Sequence, residues 1–156
     1  MTMTRSEFIH KIEDAVVLST EGTGLFPSVV MAQAILETGD GNSTLADKYH
    51  NYFGIKADPM WKGETVYLFT TEYINEIPRR IREPFRVYDN ALDSIRDRNL
   101  FLKQNPRYKD VFKAETAEDQ IEELAKAGYA TDPEYAAKLK SIINGSSLKY
   151  LDLKKK

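Results

Sequence analysis

Between Pro27 and Gly39 the chain reads PSVVMAQAILETG, a run whose apolar side chains fall on nearly every side of a helix. A helix of that kind is stable only where other elements enclose it, so the remainder of the chain has to form a shell around it. Pro27 suits the first turn, and Gly39 and Gly41 suit the exit, which predicts a helix over 28–37. With 156 residues, 42% of them apolar, there is enough chain for one such enclosed core and too little for two. Residues 1–147 are therefore expected to form one domain. Residues 148–156, ending in Lys154-Lys155-Lys156, are expected to be a loose basic tail.

The shell is legible in outline. Thr4 and Glu7 fit a capping box ahead of Phe8, Ile9, Ile12, Ala15 and Val16, which recur at helical spacing and predict a helix ending before Gly22. Residues 43–48 suit a short helical turn. The β-branched and aromatic runs 65–74 and 81–88, separated by 75–78, predict a β-hairpin. Asp89 can cap a helix whose Leu92, Ile95, Leu100 and Phe101 face inward and which stops at Asn105-Pro106. Thr116 caps another helix ending at Gly128, and Asp132-Pro133 starts a last one with Ala136, Leu139, Ile142 and Ile143 on its apolar face. The fold class is thus α+β, mainly α, with one hairpin inserted between the helices at 28–37 and 90–104 and able to form one wall of a cleft.

Glu37 is the residue that most suggests chemistry. It stands in the last turn of the enclosed helix, where burial and the negative end of the helix dipole both disfavour the carboxylate and push its pKa upward. An acid still protonated near neutral pH is what protonation of a glycosidic oxygen requires. The alternative is a glutamate that reaches solvent as the helix frays. A second carboxylate could come from Asp40, Glu64, Glu72, Glu76 or Glu83. Glu72 is preferred, because an acidic residue inside a β-rich run runs against strand propensity.

Other classes of function find little support. A formal charge of −2, from 22 basic and 24 acidic residues, suggests neither a nucleic-acid binder nor a membrane-surface protein. With no cysteine and only two histidines there is no thiol nucleophile and no convincing metal site. No apolar run free of charges follows Arg5, so neither a signal peptide nor a membrane span is expected here, and the route of export or delivery stays open. Lys56, Arg79, Arg80, Arg82 and Arg86 make the hairpin region basic, in keeping with a solvated edge that resists strand aggregation.

Several segments together resemble glycoside hydrolase family 73, the glucosaminidase domains of flagellar rod-cap hydrolases and autolysins. Segment 27–39 resembles the family's helix ending in its catalytic glutamate, and 51–56 (NYFGIK) its signature loop. WKG at 61–63 with TTEY at 70–73 is similar to the first hairpin strand. FRVYD at 85–89 is similar to the second strand and GYATDPEY at 128–135 to the C-terminal signature. The resemblance implies a lysozyme-like helical lobe with a β-hairpin lobe, and hydrolysis of the β-1,4 bond after N-acetylglucosamine in peptidoglycan at the bacterial cell wall. Carried over, Glu37 is the general acid, Glu72 the candidate second carboxylate and Tyr129 a cleft tyrosine near the acid. Asn51, Tyr52, Phe53, Trp61, Tyr135 and Asp40 are candidates for substrate contacts.

The resemblance implies no metal or organic cofactor. It implies peptidoglycan glycan strands as partner, without nucleic acid or membrane insertion, met by a monomer or by part of a larger delivery assembly. Two positions depart from the pattern. His50 replaces the first of two asparagines, and Asp40 stands where a bulky residue is common, adding a charge that would raise the pKa of Glu37 or serve as the second carboxylate. A lytic transglycosylase or muramidase on the same fold, and a non-catalytic wall-binding module, remain as alternatives.

Overall fold

The computed structural model describes residues 2–154. Six α-helices, one hairpin and two 3₁₀ helices follow in the order α1 (Arg5–Thr20), α2 (Pro27–Thr38), α3 (Thr44–Tyr49), β1 (Thr65–Ile74), β2 (Ile77–Arg86), α4 (Ala91–Gln104), 3₁₀ Pro106–Lys113, α5 (Ala117–Lys126), α6 (Tyr135–Gly145) and 3₁₀ Leu148–Lys154. The apolar run is the axis of the molecule. Every residue of α2 from Pro27 to Ile35 is buried, and α1, α5, α6 and the last 3₁₀ helix all pack against it. Phe8, Ile12 and Val16 of α1, Ile121 and Leu124 of α5, and Leu139 and Ile143 of α6 complete the core.

The helix starts follow their predicted signals. Thr4 and Glu7 form the reciprocal capping box on α1, and Ser43 and Thr116 cap α3 and α5 with side-chain oxygens. On α4 the cap is Asn90, whose Oδ1 accepts from Asp93 N at 2.9 Å, rather than the expected Asp89. The inward face of α4 also differs: Leu100 and Phe101 are half exposed, while Ser94, Ile95, Arg98, Asn99 and Leu102 are buried. Buried polar groups waiting on neighbouring elements favour this rotation. Asn99 Nδ2 donates to Ser19 O, and Ser94 Oγ accepts from Tyr52 N.

The hairpin is longer at its tip than expected. β2 begins at Ile77, four residues ahead of the predicted start, and the turn is the two residues Asn75 and Glu76 at φ 52° and 65°, the left-handed pair that a tight hairpin turn needs. Pro78 and the arginines after it read as loop, yet Pro78 pairs with Tyr73 and Pro84 with Tyr67. Counted from the Ile74–Ile77 pair, both prolines take non-hydrogen-bonded positions, whose backbone nitrogen points away from β1, so the ladder loses nothing.

The segment after Ser147 is a second correction. Instead of a loose tail, Leu148–Lys154 is a 3₁₀ helix with Leu148 and Leu151 fully buried. Asp152 closes it onto α2, its carboxylate accepting from Ser28 N at 2.8 Å and Ser28 Oγ at 2.6 Å. A carboxylate there meets both the free N–H groups and the positive dipole end of α2. Lys155 and Lys156, the end of the expected tail, lie outside the described residues.

Candidate active site

α2 ends cleanly and does not fray. Thr38 Oγ1 donates to Ala34 O at 2.7 Å and accepts from Gly41 N at 2.7 Å, and Gly39 takes the left-handed conformation at φ 58° with its N–H on Ile35 O. Gly41, at φ 84°, lies so close to Phe8 that a β-carbon there would stand 2.3 Å from its ring. The chain therefore turns sharply away beneath α1. That turn leaves Glu37, in the last turn of α2, lining an open cleft of ≈ 470 Å³. Glu37 is exposed as a residue, and it shares the lining of this cleft with Phe53, Tyr108 and Tyr129. Partial desolvation there raises its pKa, and the Arg98 guanidinium acts in the opposite sense. Among the described residues the Glu37 carboxyl has no hydrogen-bond partner.

A buried polar cluster backs the cleft. Arg98 of α4 is 1% exposed; its Nη1 donates to Gln33 Oε1 at 2.6 Å and to Tyr129 OH at 3.3 Å, and its Nε to Asn99 Oδ1 at 3.2 Å. Gln33 Nε2 then donates to Tyr135 OH at 2.9 Å. Tyr135 stacks behind Tyr129 with ring centroids 5.8 Å apart, so it supports the cleft tyrosine rather than lining the cleft. Burial raises the pKa of both phenols. They act as neutral hydroxyls.

Of the residues expected to touch substrate, Phe53 and Tyr129 line the same cleft as Glu37, and the others do not. Asn51 is buried and its amide is spent on backbone: Nδ2 donates to Ile55 O and Arg86 O, both at 2.9 Å, and Oδ1 accepts from Ile55 N at 3.0 Å. It pins the signature loop to the base of the hairpin. Tyr52 is a core residue packed on Phe8 at 5.9 Å. Trp61 bonds Glu64 O at 2.8 Å and stands edge-on to Tyr88 at 5.6 Å, bordering a different hollow with Asp93 and Asp97. Asp40 turns to Arg5 Nε at 2.8 Å. Its charge is answered there, it lies outside the cleft lining, and it is not among the groups that move Glu37's pKa.

The opposite wall comes from the loop 54–58 and the base of β2. Backbone bonds from Arg86 N to Ile55 O and from Ala57 N to Pro84 O join them, using the outward-facing edge of β2. Arg86 is held by Asp97 at 2.8 Å and Asp58 at 3.3 Å. Glu72 sits higher on the hairpin, outside the cleft lining, and its Oε1 meets Lys56 Nζ at 3.2 Å. Lys56 does line the cleft, so Glu72 adjoins the site through that lysine.

Sequence reasoning missed Arg98 and Gln33. Gln33 did carry a signal: a lone amide in an otherwise apolar, enclosed helix must find a polar partner in the core. No group of three or more possible metal ligands occurs among the described residues, and no helix among them is long and apolar enough to cross a membrane.

Comparison with known proteins fits this geometry. The glucosaminidase family, described as mannosyl-glycoprotein endo-beta-N-acetylglucosaminidase, matches residues 14–148. Peptidoglycan hydrolase FlgJ of Salmonella typhimurium is 38% identical over 88% of this chain and 45% of its own length. Exo-glucosaminidase LytG of Bacillus subtilis is 35% identical over 93% of this chain and 52% of its own length. The chain thus spans about half the length of these relatives. The solved catalytic domain of the Listeria monocytogenes autolysin Auto superposes with a TM-score of 0.84 at 30% identity, covering 97% of this chain and 91% of that one. The helical lobe, the hairpin and the extent of the match all agree: the chain belongs to the glucosaminidase family, glycoside hydrolase family 73.

Proposed function

We propose that this domain hydrolyses the β-1,4 bond after N-acetylglucosamine in the glycan strands of bacterial peptidoglycan, with Glu37 as general acid. The observation that carries the reading is a single carboxyl, raised in pKa and free of hydrogen bonds, at the end of a rigid helix and the edge of an open cleft. The relatives support the substrate, FlgJ being a peptidoglycan hydrolase and LytG a glucosaminidase. The proton of Glu37 passes to the glycosidic oxygen as the C1–O bond breaks and its electron pair goes to that oxygen. Water then completes the substitution at C1.

Tyr129 and Phe53 shape the cleft beside the reacting bond. Glu72 is the candidate second carboxylate. Its place beyond the cleft lining, bound to Lys56, means that direct activation of water requires the hairpin to bend inward, whereas a substrate-assisted route does not. Action at the cell wall follows from the substrate.

The test is mass spectrometry of borohydride-reduced fragments from purified peptidoglycan treated with wild type, Glu37→Gln and Glu72→Gln. New reducing ends on N-acetylglucosamine, lost about 10²–10⁴-fold in Glu37→Gln, are expected. Ends on N-acetylmuramic acid, or 1,6-anhydro ends, would overturn the assigned bond, and the absence of any fragments would favour a wall-binding module. Fragment length separates internal cleavage from release of terminal sugars.

A further inference from the structure

Arg98 is an unusual group to find inside this core. A guanidinium keeps its charge at any working pH, and burying it is costly unless an anion answers it. Its hydrogen bonds nevertheless go only to neutral oxygens, of Gln33, Asn99 and Tyr129. Its Nη2 is buried with no hydrogen-bond partner. The ring of Phe53, 4.3 Å below its Cζ, offsets part of the cost.

The other cations around the cleft are already accounted for. Lys56 has Glu72, Arg86 has Asp58 and Asp97, and Arg107 lies exposed, bonded to Tyr108 OH at 2.7 Å. Tyr108 and Tyr129 line the cleft with Glu37, and burial keeps Tyr129 a neutral phenol. Asp58, the other acid lining the cleft, belongs to Arg86. This leaves Arg98 as the one buried cation without an anion, and Glu37 as the one unpartnered carboxyl, lining the same cleft.

We propose that Arg98 is the counterion of Glu37: its buried guanidinium compensates the carboxylate that Glu37 becomes each time it gives up its proton. The inference rests on Glu37 being the acid. Burial alone would make Glu37 hold its proton too firmly to release it during bond cleavage; the charge of Arg98, acting through poorly screened protein, works against that. Gln33 and Tyr129 hold the guanidinium in place. Arg98 is thus a positioning residue that acts through Glu37 and does not touch substrate.

The experiment is a ¹³C NMR titration of the Glu37 carboxyl, assigned as the signal absent from Glu37→Gln, in wild type, Arg98→Met, Arg98→Lys and Gln33→Glu. Arg98→Met is expected to raise the midpoint by about one pH unit, with Arg98→Lys staying near wild type. Gln33→Glu keeps the buried volume but supplies Arg98 with a carboxylate at Nη1, and it should raise the midpoint as Arg98→Met does, even if the latter folds poorly. Unmoved midpoints in Gln33→Glu and Arg98→Met, or equal shifts in Arg98→Lys and Arg98→Met, overturn the proposal.

Activity profiles on peptidoglycan read the two ideas apart. An alkaline limb that moves with the NMR midpoint supports both. Midpoints that move while the limb stays would support the counterion and sink Glu37 as the acid.

Discussion

The two walls of the cleft are built by different physics. On the helical side, α2 is enclosed by four other elements, and the polar groups behind Glu37 are tied into one buried cluster running through Gln33, Arg98, Tyr129 and Tyr135. The hairpin rests mainly on its own ladder and on anchors at its base. Its outer face presents Tyr67, Phe69 and Tyr73, all more than half exposed, with Arg82 stacked 4.9 Å over Tyr67 and Arg80 4.4 Å over Phe69. Glu37 is thus fixed by global stability, whereas Glu72 depends on an element that can move without disturbing the core.

That contrast can be broken by mutation. The largest effect is expected inside the helical wall: Ile35→Ala, at a fully buried site one turn before Gly39, should lose about 2–5 kcal/mol in urea unfolding. A loss below 1 kcal/mol would mean that α2 is not the rigid member of the pair. At the joint between the walls, Asn51→Ala strands Ile55 N, Ile55 O and Arg86 O. It should cost about 1–3 kcal/mol and depress activity further than its stability loss explains, measured well below its melting temperature. On the outer face, Phe69→Ser should change unfolding free energy by only about 0.5 kcal/mol and leave the rate on peptidoglycan intact; a large loss of rate would show that this face meets substrate.

The smallest effect is expected at the start of α1. The capping box holds the Glu7 carboxyl below the usual carboxylate range, through hydrogen bonds from Thr4 backbone and side chain. A group whose folded pKa is depressed adds stability above its unfolded pKa and loses it as pH falls through the folded value. Wild type should therefore melt slightly above Glu7→Gln at neutral pH, and the gap should close in acid. A gap that persists at low pH would mean that the charge contributes nothing.

What could be read from the sequence divides along the same line. α2 and Glu37 were legible because three local rules agreed: a proline at the start, glycines at the stop, and apolar side chains on all sides between them. The base of the hairpin was legible from its β-branched run. Its tip was not, because Pro78 and the arginines after it look like loop unless the register is known, and register is a non-local property. Arg98 was hidden for a similar reason. In DSIRDRNLF a charged residue beside Leu100 and Phe101 reads as the solvent face, and only the partners on α2 and after α5 turn that face inward. Asn51 and Tyr52 are expected at the substrate because they belong to the segment that resembles the family's signature loop, yet Asn51 bonds the loop to the hairpin and Tyr52 packs on Phe8.

The bond between Ser28 and Asp152 carries a consequence for biosynthesis. A ribosome delivers α2 first, with Glu37 already at its end, but the carboxylate that seals the start of that helix lies 124 residues further along the chain. Leu148 and Leu151 arrive with it. A nascent chain can collapse around α2 and still lack this piece of its core, so the site matures only once residues 148–152 have been translated and have left the exit tunnel.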